Sequence, residues 1–201
     1  TVCDLSACNV DVSQNLTVDA SVNFTTGVID TPRYINTTGV GGNVFVGEGS
    51  GASTTNPTNK NVGVGNFTLN LSTSGISGAN TAIGNDSLKV LTTGTNNVST
   101  GVDALTALQS GSKNVAVGAS AGQFAAVGDL TDCSKCIFIG DAATASVDGV
   151  NNEIVIGQGA TGKGSNTIQI GNNDVSAVYL GKEITDASSA SISDISGCRL
   201  Y

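Results

Sequence analysis

Residues 97–118 read NVSTGVDALTALQSGSKNVAVG. The stretch opens and closes on one five-residue word, Asn-apolar-x-apolar-Gly, at Asn97–Gly101 and Asn114–Gly118. The same word stands at Asn43–Gly47, Asn61–Gly65 and Asn80–Gly84, with variants at Cys136–Gly140, Glu153–Gly157 and Thr167–Gly171. Its glycines are 18, 19, 17, 17, 22, 17 and 14 residues apart. Self-similarity at such a period is the mark of a repeat architecture, in which each unit buries its apolar face only against its neighbours.

The second and fourth positions of the word are β-branched in almost every copy, from Val44/Val46 to Ile168/Ile170. Side chains two apart share one face of a strand. The middle position varies freely: Phe45, Gly63, Ala82, Ser99, Ala116, Phe138, Val155, Gln169. The regular column is therefore expected to face an inner core and the variable one to face outward. The closing glycine fits a turn that a Cβ would forbid, and the leading Asn suits a hydrogen-bonded ladder between coils. Beyond the glycine, Leu88 and Leu91, and likewise Leu105 and Leu108, lie three apart behind Asp86 and Asp103. That spacing predicts a single helical turn with an acidic cap. A small residue keeps the third place after each glycine (Thr68, Ser87, Ala104, Ala121, Ala143, Ala160), so close packing is expected there.

Composition agrees with thin, regular layers. Among 201 residues there are 27 Gly, aromatics are 4%, and Trp, Met and His are absent. Mean hydropathy is +0.13, and the apolar residues recur in register, unlike a disordered chain. Sixteen acidic against eight basic residues disfavour nucleic acid, whose phosphates are bound by Lys and Arg. No apolar run approaches the roughly 18 to 20 residues of a membrane span, so no membrane insertion is expected.

The stretch Asn151–Asn173 (NNEIVIGQGATGKGSNTIQIGNN) resembles the head repeat of trimeric autotransporter adhesins. The longer coils, such as Asn80–Asn96 (NTAIGNDSLKVLTTGTN), are similar to the related repeats of phage and other viral fibres. The resemblance implies an all-β fold, a parallel β-roll or β-solenoid, assembled as a homotrimeric rod. Those adhesins usually carry a heptad stalk and a membrane-anchoring barrel and seldom use cysteines in their heads. This chain shows neither extra part and has five cysteines. The expectation is thus a structural fibre subunit of a virion or secreted filament, extracellular, attaching to a host or partner surface receptor or glycan. The head of a bacterial trimeric adhesin is the alternative. The repeat region spans 41–181. Residues 1–40 read as a β-rich cap or attachment segment, and 182–201 as a tail or docking segment.

Enzyme chemistry lacks its parts. Without His there is no Ser-His or Cys-His pair, and no cofactor is expected. A carboxylate-pair glycosidase on Asp129, Asp132 and Asp141, or an ice-binding solenoid, are lesser readings. Gly157–Gly164 resembles a phosphate-binding loop, but Gly164 stands where Ser or Thr is needed and a strand follows where a helix should. Cys133 and Cys136 have the spacing of half a zinc site or of a redox motif, yet the other cysteines are remote and no metal site is expected in one chain. A local or intersubunit disulfide closing the insertion at 119–135 is favoured. Of Cys3, Cys8, Cys133, Cys136 and Cys198, at least one is left for an interchain bridge or a free thiol. Seven Asn-x-Ser/Thr sequons are expected by chance in so Asn- and Thr-rich a chain. Recognition is expected on the insertion, which carries Phe124, Asp129 and Asp132.

Overall fold

A computed structural model describes residues 42–52, 60–70 and 78–176 of the chain. The eight words form eight three-residue strands: β1 (Val44–Val46), β2 (Val62–Val64), β3 (Thr81–Ile83), β4 (Val98–Thr100), β5 (Val115–Val117), β7 (Ile137–Ile139), β9 (Ile154–Ile156) and β10 (Ile168–Ile170). They stack in one parallel sheet in sequence order, and every pair aligns word position with word position. A two-stranded parallel sheet, β6 (Cys133–Ser134) with β8 (Val150–Asn151), lies outside it. The described residues are thus an all-β solenoid of about seven turns. The expected segments 1–40 and 182–201 lie outside the described residues.

The two faces of the words are the reverse of the expected ones. The middle residues point inward: Ala82, Ser99, Ala116, Phe138 and Val155 are fully buried. The second and fourth positions are half-buried or exposed in the isolated chain. The reason is how little room the coil offers. A Cβ on Gly63 would lie 2.7 Å from Thr68 Oγ1 and 2.8 Å from both Phe45 and Ser50 Oγ. The middle residue varies because it is matched in size to the residue four places after a word glycine. Where that place is Leu69, Leu88 or Leu105, the middle residue is Gly63, Ala82 or Ser99. Where it is Gly51 or Gly122, a phenylalanine fills the space: a Cβ would come within 2.5 Å of the Phe45 ring, or 2.7 Å of the Phe138 ring. The middle residue is thus limited by the side chains that the turns place beside it, as a close-packed interior demands.

The segment after each glycine is not helical, and the described residues contain no helix. Asp86 and Leu88 have φ of 57° and 49°, and Asp103 and Leu105 repeat those values, in alternation with right-handed neighbours. The amides of the two positive-φ residues point in opposite directions along the stack. Asp103 N donates back to Asn85 O (2.9 Å), while Leu105 N donates forward to Ala121 O (3.0 Å). Each turn is thereby tied to the coil on either side, which a helix with internally satisfied amides could not do. The leucines expected on one helical face instead fill the core: Leu69, Leu88, Leu91, Leu105 and Leu108 are all fully buried. The small third-place column is spent inside the same chain, where Thr68, Ser87, Ala104, Ala121, Ala143 and Ala160 are buried under the strands. It therefore supplies no contact between chains.

The leading asparagines form the expected ladder. Asn61 N donates to Asn43 Oδ1, Asn80 N to Asn61 Oδ1, Asn97 N to Asn80 Oδ1 and Asn114 N to Asn97 Oδ1, all between 2.8 and 3.0 Å. The last carboxamide grips the next coil at two points: Cys136 N donates to Asn114 Oδ1 (2.9 Å) and Asn114 Nδ2 to Cys133 O (2.8 Å). One coil on, buried Glu153 takes the Asn place, accepting from Gly164 N (2.7 Å) and Ser146 N (3.1 Å). The word glycines make the close stacking possible. Gly65 has φ of 132°, and a Cβ there would lie 2.6 Å from Gly84 O of the next coil.

Candidate interaction surfaces

The longest coil, between Gly118 and Gly140, holds its extra residues in a small antiparallel hairpin bridged at Phe124 and Asp129. Leu130 N donates to Gln123 O (3.1 Å) and Ala125 N to Gly128 O (3.0 Å), closing the loop. Below the hairpin, Leu130 is fully buried, and Thr131 O accepts from Gln109 N (2.8 Å) and Ser110 N (3.1 Å). Residues 130–132 are therefore part of the coil, as is buried Ala125, and the exposed part of the hairpin is Phe124 with 126–129. Phe124, Asp129 and Asp132 are all exposed. The structure adds Val127, 86% exposed at the tip, and Val147 on the next coil, 55% exposed.

A residue not picked out by sequence fixes this loop. Asp148 Oδ1 accepts from Thr131 N and Asp132 N (2.8 Å each), and Oδ2 accepts from the Thr131 hydroxyl (2.6 Å). Partial burial pushes its pKa up, but the Thr131 hydroxyl and the amides of Asp132, Thr131 and Gly149 outweigh that and hold the carboxyl below its usual range. Nothing in the local sequence marks it, because its partners are 16 and 17 residues away.

The second surface is the outer face of the large sheet. Its fourth-position column, Val46, Val64, Ile83, Val117, Ile139 and Ile170, is exposed by 39 to 48%. At the ordinary strand separation, eight strands make a stripe about 34 Å long. Half-buried Thr100 interrupts it and Ile156 is half-buried too, but an apolar run of this length is uncommon on a soluble monomer.

Cys133 and Cys136 are buried and carry free thiols. Cys3, Cys8 and Cys198 lie outside the described residues. No group of three or more His, Cys, Asp or Glu side chains among the described residues is placed to hold a metal ion. The loop Gly157–Gly164 runs into β10. Its Gly159, Thr161 and Lys163 line an open polar depression with Gln169, Asn172 and Asp174. Of the sequon asparagines, Asn97 is fully buried in the ladder, whereas Asn66 and Asn85 are exposed. No helix among the described residues is long and apolar enough to cross a membrane. Compared with known proteins, the chain matches no family model, no curated protein and no solved structure.

Proposed function

We propose that this protein is a structural fibre subunit whose solenoids associate through the β-branched outer face, extending a rod that attaches to a partner surface. The observation that supports it is the exposed column from Val46 to Ile170. Inside the coil, side-chain identity is dictated by volume. Outside, nothing in the fold of one chain calls for Val or Ile in seven of eight fourth positions beyond ordinary strand preference. A second copy with the same stripe would bury them. Three copies around one axis is the stoichiometry implied by the likeness to trimeric adhesin heads and viral fibres. A virion or secreted filament outside the cell is the setting that likeness favours. Recognition falls to the projecting hairpin with Phe124 and Asp129, because a loop held on a rigid stack is free to vary. Threefold display would turn weak contacts into avidity. The reading assigns the chain no catalytic role.

Sedimentation velocity tests it on the intact protein beside the Val117→Asp and Ile139→Asp variants. The native protein should sediment as three chains of 19.9 kDa. Each variant should shift toward single chains with its far-ultraviolet spectrum unchanged. Native sedimentation as one chain would overturn the assembly. For attachment, Val127→Asp should weaken binding to the partner surface without altering sedimentation. Undiminished binding would move the recognition site off the hairpin.

A further inference from the structure

We infer that Cys133 and Cys136 are a dithiol pair that closes to a disulfide within one chain, a covalent lock where the asparagine ladder ends. Both residues are buried, Cys133 at 1% and Cys136 at 0% exposure, which puts an intersubunit bridge out of reach. The same carboxamide holds both: Cys133 O accepts from Asn114 Nδ2, and Cys136 N donates to Asn114 Oδ1. One side chain thus brings the two backbones together across the turn, where Lys135 has φ of 59°. Cys133 is held on its other side by β8, in register with Val150.

The chemistry of the pair is unequal. The contact between the thiols, reinforced by burial, pushes Cys133 well up, and the same contact lowers Cys136. Cys136 Sγ lies within donating distance of Ser134 O (3.4 Å) and Val150 O (3.7 Å). The thiolate of one cysteine attacks one sulfur of a small disulfide such as oxidised glutathione and expels one thiolate. The other cysteine, on losing its proton, attacks the mixed disulfide so formed and expels the second. Two protons and two electrons leave the protein, and the small disulfide becomes two thiols. Because neither sulfur is exposed, exchange takes place before the coil closes in folding or during its local opening. Once closed, the bond is shielded from reductants in solution.

The experiment refolds the full-length protein from urea in a buffer of reduced and oxidised glutathione, then unfolds it in alkylating agent and digests it with trypsin. Cleavage after Lys113, Lys135 and Lys163 separates the two cysteines into peptides 114–135 and 136–163. The expected product is these two peptides joined, lighter by two hydrogens than their sum, from protein that runs as a single chain without reductant. Three outcomes overturn the inference: both peptides alkylated, either one joined to a peptide holding Cys3, Cys8 or Cys198, or the joined pair arising only from a covalent dimer. Since only covalent pairing is read, the result is independent of whether the chain forms a trimer.

Discussion

Truncating the middle of the ladder, Asn97→Ala, is expected to be the most damaging single polar change in the solenoid. The fully buried Asn97 side chain accepts from Asn114 N and Asn114 Nδ2 (3.0 Å each) and donates to Gly111 O (3.0 Å) and Asn80 Oδ1 (3.1 Å). After truncation Asn114 Nδ2 keeps Cys133 O and Asn80 Oδ1 keeps Asn97 N. Asn114 N and Gly111 O lose the partners named. An orphaned buried group costs about 1–3 kcal/mol, so two cost about 2–6 kcal/mol. That is a large part of the roughly 5–15 kcal/mol that stabilises an ordinary domain. In a stack where each coil touches only its neighbours, the break also uncouples the two halves. The neighbouring Asn96 is exposed, has φ of 60° and bonds through its side chain only to Thr95 Oγ1, so Asn96→Gly, which keeps that backbone conformation unstrained, should stay within about 0.5 kcal/mol. Urea unfolding followed by circular dichroism, at matched chain concentration, measures both. If Asn97→Ala cost less than about 1 kcal/mol, or no more than the Asn96 control, the ladder would not be what holds coil to coil.

Two further perturbations probe the interior and the loop. Ala116 is fully buried between Ser99 and Phe138 in adjacent strands, so Ala116→Leu should overpack the coil and destabilise it by about 1–3 kcal/mol; an unchanged urea midpoint would mean that the middle position does not face inward. Asp148 has a folded pKa below its ordinary 3.8, so its contribution is complete above that value and is lost as pH falls through the folded one. Protection of the Thr131 and Asp132 amides, taken relative to their intrinsic exchange rates, should accordingly fall as the pH drops through the folded pKa, and Asp148→Asn should remove that pH dependence; a variant whose protection kept the native pH profile would show that another group holds the loop.

The hairpin also sets how recognition is to be tested. Deleting 123–132 would remove Leu130 from the core and the Thr131 carbonyl that two amides share, so the rest of the coil would not be spared. Substitution at the exposed Val127 leaves those interactions in place.

By itself, the sequence determined the repeat, the strands, their parallel stacking in register and the asparagine ladder. All of these follow from features that recur at one word position: β-branched residues two apart, a glycine that lets backbones meet, and an amide able to bond to its own kind. The expectation that the regular column faces the core was the wrong way round, because alternation marks two faces without saying which is the core. The tertiary structure decided it through volume: the coil has room for one residue per strand, and that residue must fit what the turn puts opposite. Phe138 lies against Gly122, and Gly63 against Thr68, where a larger residue at either glycine would collide. The matching was present in the sequence as an exchange of sizes between two columns, but it joins residues within and between coils and is invisible to a single periodicity. The helical reading of Leu88 and Leu91 failed for a related reason: the Leu88 amide is claimed by Ala104 O of the next coil, and local spacing carries no record of that partner. Asp148 was beyond local reading too, since a carboxylate becomes a clamp only when the stack brings Thr131 beneath it.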